Sequence, residues 1–562
     1  MIRTALPRSA LLQPPQQAGC SCARQASHLP AASHQLSTSS APPPPSASPL
    51  ASSSSLYAQQ PSTHALANPD AAWHDPVFLK KYRDPARHDV FVPSRRALET
   101  VARSGGSGAR DVSSATVKGK SVEAASGGGK NQRSRRNRLE MEALWSGGDF
   151  SPPIPLESYR AQTTRPRHAL LFPGSGSQYV GMHHYLRDKQ PARDVWDEAE
   201  TALAGFEQWR KSLGLHELEG EAGVLGRMLD ETEAERRKES GLKEVVFEGP
   251  QDELTRSSNA QPAILITSIS LLRTLEREYS LPIARTASLI LGHSSGEYSA
   301  AVATGALSLC DGVRLTRLHG LLTHYALSLP SIGLSPDFDA PPSRRGQMSA
   351  LVLNPGHSHA EISDVIRRVR AERSGREGAE GTVEVASFNS TTQVVLAGTR
   401  EGIMKASEEL RELEIASRAA DLPVSAPFHC SFMAPAASGM EHALSSPSIR
   451  LRTPSSPLVS GLDASLITTP SSLVSNLVAQ ISLPVRWSSC LASLPAKHGV
   501  RRMVFLGPGQ ALANLARRDA KALKEARAGG NNEGEGETEV VSVATEADMD
   551  RLRDMWEEED GQ

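Results

Sequence analysis

Gly292-His293-Ser294-Ser295-Gly296 leaves this chain few folds to choose from. The run Ala287-Ser-Leu-Ile-Leu291 before it reads as a buried strand. A helical pattern follows from about 296 to 303 and stops at Gly305. A serine on a sharp turn between strand and helix is the pattern of a nucleophile elbow. The turn brings backbone so close to itself that a Cβ would clash, hence the paired glycines. It lifts the serine oxygen to the C-terminal edge of a parallel sheet. The amide of Ser295, near the helix N-terminus, is then aimed where an oxyanion would form. A structural glycine-rich turn is the plainer alternative for the same five residues.

The flanking patterns extend this into an α/β fold with a hydrolase-like parallel-sheet core. His168-Ala-Leu-Leu-Phe172 reads as a buried strand ending in a Pro-Gly loop. Helical patterns cover about 188–204, 261–279 and, from a Ser308–Asp311 capping box, to about 327. Residues 206–245, rich in charge, read as a surface insertion, and 329–345 as a loop. A smaller unit over 344–422 has the order strand (348–353), helix (359–373), strand pair (383–388, 393–397), helix (400–413), strand (416–421). That order is the ferredoxin-like arrangement, inserted into the larger unit. The larger unit, begun over 166–343, resumes over 423–545. It has helices near 431–445, 470–480, 486–496 and 510–523, and strands near 456–460, 503–506 and 539–543. Residues 546–562 read as an acidic tail.

Composition excludes several classes of function. The net charge is −2, so no global field favours nucleic acid or an anionic membrane. No segment has the ~18 uninterrupted apolar residues of a membrane span. Cys310, Cys430 and Cys490 are single and widely spaced, which suits a reducing compartment and no zinc site. Residues 1–69 contain no Asp or Glu and are rich in Ser, Ala and Pro, with Arg3, Arg8 and Arg24. This is the composition of a mitochondrial transit leader, or of an ordinary disordered tail. Residues 70–165 read as an extension or linker, with a basic run from Lys130 to Arg138.

A serine hydroxyl needs a base to become a nucleophile. The chain has seventeen histidines. His429 stands out because Pro423 and Pro427 rigidify its approach to a helix, although a packed histidine would satisfy the same pattern.

Several motifs occur in order: Phe172-Pro-Gly-Ser-Gly-Ser-Gln178, Asn259-Ala-Gln-Pro262, Gly292-His-Ser-Ser-Gly-Glu-Tyr298, Phe388-Asn-Ser-Thr-Thr-Gln393, Pro423-Val-Ser-Ala-Pro-Phe-His429 and Phe505-Leu-Gly-Pro-Gly509. Together they resemble the malonyl-CoA:acyl carrier protein transacylase family, over about 168–525. With the leader, the chain looks like a mitochondrial member serving type II fatty acid synthesis in the matrix. The resemblance implies that Ser294 is acylated and His429 is its general base. It implies that the backbone carbonyl of Gln480 orients that histidine, in place of a carboxylate. The amides of Ser175 and Ser295 would form the oxyanion hole. Gln261, Asn389 and His293 would line the acyl site. Malonyl-CoA and an acyl carrier protein are the implied partners of a monomer. No metal or cofactor is implied, because the coenzyme A thioester and the phosphopantetheine are substrates.

Two positions depart from the family. Ser175 stands where the loop usually has Gln, which leaves the main-chain donor in place. His319 stands where an arginine pairs with the malonyl carboxylate. On a helix at about 100° per residue, Arg317 and Arg314 lie about 200° and 140° from His319, so neither replaces it. A histidine carries full charge only below a pKa of ~6.5 and lacks the guanidinium fork. Acetyl or broader short-acyl transfer therefore stays open, as do a serine hydrolase or thioesterase and a non-catalytic scaffold. A basic rim near Arg486 is expected to dock the carrier protein.

Overall fold

β1 (His168–Phe172) is wholly buried and lies between two parallel neighbours, β2 (Leu289–Gly292) and the later strand Arg502–Leu506. An apolar run with no polar alternation can only sit at the centre of a sheet covered on both faces. The computed structural model describes residues 167–236, 241–335, 341, 344–371, 381–528 and 538–560. The readings made for 1–69 and 70–165 lie outside the described residues.

In chain order, β1 is followed by α1 (Gln190–Ala204), α2 (Ser257–Arg277), β2, α3 (Gly296–Ala303) and α4 (Leu309–Ala326). The smaller unit comprises β3 (Gly346–Leu353), α5 (His359–Ala371), β4 (Val383–Ser390), β5 (Gln393–Thr399), α6 (Arg400–Glu412) and β6 (Ala416–Asp421). The chain then adds α7 (Ala434–Leu444), β7 (Leu458–Val459), β8 (Leu466–Ile467), α8 (Pro470–Ala479) and α9 (Trp487–His498). It ends with β9 (Arg502–Leu506), α10 (Ala511–Ala528), β10 (Glu539–Val543) and α11 (Glu546–Asp560).

The large sheet has the order β10-β9-β1-β2-β7-β8. All pairings are parallel except the short β7–β8 hairpin at one edge. The small sheet is antiparallel with the order β4-β5-β3-β6. With α5 and α6 on it, this is the ferredoxin-like arrangement expected from the sequence. The fold is thus the α/β class read from the sequence, a parallel core with that smaller unit inserted.

Three local readings need correction. Residues 206–245 are not a surface insertion. They form helices Phe206–Ser212, Gly220–Glu231 and Glu233–Arg236, and a further helix, Leu242–Glu248, follows. Phe206, Trp209, Leu215, Leu225 and Leu229 are buried there, and their charged neighbours mask the apolar periodicity in the sequence. Residues 546–560 are not a tail but α11, whose Met549, Leu552 and Trp556 lie on one buried face. The Thr545 hydroxyl accepts from the Asp548 amide and starts that helix. Finally, α2 begins at Ser257 rather than near 261, so Pro262 lies inside it. Proline has no N–H to give the Ser258 carbonyl one turn back. Arg317 fills the gap, its Nη1 donating to Ser258 O at 3.0 Å and also bonding Asn259 Oδ1.

Candidate active site

The elbow forms where β2 passes into α3. A Cβ on Gly292 would stand 2.0 Å from the Gly296 carbonyl carbon, so only glycine lets the turn close. Ser294 takes φ +56°, the left-handed region. The loop after β1 lies against this turn, since a Cβ on Gly174 would meet His293 O at 2.2 Å.

His429 arrives from the far side of the small unit. Its φ is +61°. Its amide donates to Ile481 O at 3.2 Å, and its Nδ1 lies 2.6 Å from Gln480 O. A carbonyl only accepts, so Nδ1 carries the proton and Nε2 presents a lone pair. Ser294 Oγ is 2.6 Å from that Nε2, and its hydroxyl donates to it. Burial pushes the His429 pKa down to about 4, against the raising effect of the Gln480 carbonyl. The imidazole is therefore neutral at pH 7 and free to take a proton. The carbonyl partner is itself anchored in α8, because Gln480 N–H donates to Asn476 O at 3.0 Å.

The predicted oxyanion donors sit beside this pair. The Ser175 amide donates to Ser295 Oγ at 3.1 Å, and the two hydroxyls are 3.3 Å apart. Ser295 is the N-cap of α3, so its own amide sits at the positive end of that helix.

His293 and Asn389 meet as neighbours: His293 Nε2 lies 2.9 Å from Asn389 Oδ1. Burial lowers the His293 pKa to about 4. Sequence reasoning missed the two residues that complete this cluster. Ser387 Oγ donates to Asn389 Oδ1 at 2.6 Å, and Asn389 Nδ2 donates to Gln393 Oε1 at 3.0 Å. The two-residue spacing of Ser387 and Asn389 on one strand was the available signal.

A cavity of about 350 Å³ opens over Ser294, His429, His293 and Asn389. The small unit contributes Met348, Ala350 and Val395, the loop after β1 runs along one side, and Phe505–Ala513 closes another. No Lys or Arg is among its lining residues. Gln261 and His319 do not line it. Both are buried, and Gln261 Oε1 and both ring nitrogens of His319 lack a hydrogen-bond partner among the described residues. Burial takes the His319 pKa down to about 3. Arg317 caps the Ser258 carbonyl and Arg314 Nε reaches Ala202 O at 3.4 Å, so neither stands in for His319.

Arg486 was expected on an exposed rim. It is only 6% exposed, and its guanidinium lies over the Phe388 ring at 5.6 Å. Its aliphatic stem and planar head suit an aromatic face better than solvent.

A serine at an elbow, a neutral imidazole held by a carbonyl, and adjacent amide donors define an acyl-transfer site of the serine type. An acyl transferase domain matches residues 169–328. The malonyl CoA-acyl carrier protein transacylase of Bacillus subtilis (strain 168) is 30% identical over 357 residues, 63% of this chain and 91% of that protein. The protein of the same name from Escherichia coli (strain K12) is 29% identical over 357 residues, 63% of this chain and 93% of its own length. The crystal structure of the acyl-carrier-protein-S-malonyltransferase from Bartonella henselae matches with a TM-score of 0.53 at 28% identity, covering 69% of this chain and 99% of that one. A malonyl-transacylase solved in complex with a type II PKS acyl-carrier protein matches at 25% identity and a TM-score of 0.52, covering 69% of this chain and 99% of that one. This chain belongs to the malonyl CoA-acyl carrier protein transacylase family.

Proposed function

We propose that this protein transfers a malonyl group from malonyl-CoA to the phosphopantetheine thiol of an acyl carrier protein, within mitochondrial type II fatty acid synthesis. The observation that carries the reading is the relay Ser294 Oγ–His429 Nε2–Gln480 O, with 2.6 Å at each step. The names of the relatives support the donor and the acceptor.

The cycle runs in two halves. Ser294 Oγ attacks the thioester carbonyl while His429 Nε2 takes its proton. The oxyanion replaces Ser295 Oγ as the acceptor of the Ser175 amide and takes a second bond from the Ser295 amide. Collapse breaks the C–S bond, and the proton on His429 goes to the leaving coenzyme A sulfur. The carrier thiol then attacks the acyl-serine, giving its proton to His429, and Ser294 leaves as the alcohol. The apolar cavity wall keeps water from the ester between the halves. The cycle calls for no metal or redox cofactor. A backbone carbonyl, rather than a carboxylate, on His429 Nδ1 weighs against an α/β-hydrolase-type hydrolase. The proposed cycle calls for no residue from a second copy, and we propose that the protein acts as a monomer.

A second reading is transfer of acetyl or another uncharged short acyl group. It is favoured by a neutral buried His319 and a cavity lined by no cation. Mass spectrometry of the intact protein after mixing with equal malonyl-CoA and acetyl-CoA decides between them. A malonyl adduct lost in Ser294→Ala supports the first reading; an acetyl adduct alone supports the second; continuous release of free acid supports a hydrolase.

The matrix location rests on the acid-free composition of residues 1–69. Fused to a fluorescent protein, this segment is expected to carry it into mitochondria, and a diffuse signal would refute that.

A further inference from the structure

The base and the nucleophile sit on separate elements. Both polar hydrogens that place His429 go to the Gln480–Ile481 segment at the end of α8. Ser294 belongs to the elbow ahead of α3. The catalytic 2.6 Å contact therefore depends on how α3 and α8 are held relative to each other.

One side chain joins them. Glu297 lies in the first turn of α3, its amide donating to Ser294 O at 2.9 Å. Its carboxyl group is buried and receives Asn476 Nδ2 at 2.6 Å on one oxygen and the Gly461 amide at 2.9 Å on the other. Asn476 is on α8, one turn before Gln480, and its carbonyl accepts from the Gln480 amide at 3.0 Å. The bonds close a ring: Ser294, Glu297, Asn476, Gln480, His429 and back to Ser294. Each of these residues is at most 9% exposed. Burial takes the Glu297 carboxyl up to about 8, with Asp463 nearby adding to the rise.

We infer that Glu297, through Asn476, is a positioning residue that sets the distance and angle between Ser294 and His429. This rests on the acyl-serine reading above. Glu297 touches neither substrate nor reacting atoms. Its part is to keep the carbonyl that holds the imidazole in register with the elbow. A misplacement of about 1 Å in such a pair slows a reaction by ~10²-fold without altering how substrate binds.

The test uses full-length protein and two readouts per mole of folded enzyme. One is single-turnover acylation by malonyl-CoA. The other is phosphonylation of Ser294 by a fluorophosphonate, in which the Ser294 Oγ–P bond forms, fluoride leaves, and the serine proton passes to His429. Glu297→Ala and Asn476→Ala are each expected to slow both readouts by about 10- to 100-fold, with KM for malonyl-CoA nearly unchanged. In Glu297→Gln the amide oxygen still accepts from the Gly461 N–H, and with the Asn476 amide turned over the new Nε2 donates to Asn476 Oδ1, so this variant is expected to restore most of the rate. The double variant is expected to be no slower than the slower single, because both remove one bond. Wild-type rates in folded Asn476→Ala overturn the inference, even where Glu297→Ala fails to fold. Multiplying effects in the double variant, or a Glu297→Gln as slow as Glu297→Ala, also overturn it. A wild type that is phosphonylated but never takes malonyl refutes the transferase reading alone, because the fluorophosphonate arm still tests the clamp.

Discussion

Ser294 and His429 both hold left-handed backbone, at φ +56° and +61°. Each such non-glycine residue costs roughly 1–3 kcal/mol and persists only where its surroundings leave no alternative. Here the surroundings are the Gly292–Gly296 contact on one side and the Gln480–Ile481 bonds on the other. His319 illustrates the opposite case, a polar ring buried with nothing to bond among the described residues. As a neutral group it offers a carboxylate at most a dipole, whereas arginine offers a permanent charge and a fork. A charge-assisted hydrogen bond contributes ~1.5–3 kcal/mol, so His319→Arg is expected to raise the malonyl-to-acetyl preference about 10- to 100-fold. Competition between the two thioesters, read as the ratio of acyl-enzymes, checks this. An unchanged ratio would mean that an arginine at position 319, which does not line the cavity, does not reach the acyl group.

Among the elements, α11 does more than its acidic sequence suggests. Its buried face packs on β10, and Trp556 reaches in to pack edge-on to the His168 ring of β1 at 4.9 Å. Arg502 in β9 pairs with Glu539 at 2.8 Å and Glu559 at 2.6 Å, tying β9 to β10 and to the last turn of α11. Without α11, the apolar side chains that it covers would be open to solvent. Trp556→Ala is expected to cost about 3–5 kcal/mol, measured by denaturant unfolding. A loss below about 1 kcal/mol would show that α11 docks without contributing to the core.

Across the whole molecule, buried histidines set the response to acid. His293, His359 and His429 have pKa values lowered to about 4 and His319 to about 3, all by burial first. Their folded values lie below the unfolded 6.5, so between those limits the unfolded chain binds more protons. Stability is fully present above pH 6.5 and is lost as pH falls toward 4. Glu297 acts in the opposite sense, its folded value near 8 lying above an unfolded 4.5, so it lowers stability as pH rises through that window. Below 6.5 the several histidines outweigh Glu297 and Asp519, whose carboxyl burial raises to about 6, while of these groups only Glu297 still titrates from there to 8. Thermal unfolding is therefore expected to show a maximum near pH 6.5. A flat profile from pH 4 to 6.5 would show that these rings are not buried neutral in solution.

The elbow and the small unit were legible in the chain because each is local. Gly292 and Gly296 flank a serine between a strand pattern and a helix pattern, and the order of strands and helices over 344–422 admits few sheets. Pro423 and Pro427 marked His429 only as a candidate; its role, and Gln480, were reached through resemblance, because nothing in periodicity says which distant loop faces Ser294. The tertiary structure alone decided that Arg486 is covered, that Arg317 serves a proline-freed carbonyl, and that Glu297 meets Asn476. The physical reason is the same for each. Backbone turns and amphipathic faces are written in neighbouring residues, whereas the partner of a buried polar group is whichever donor the packing of distant elements brings within about 3 Å.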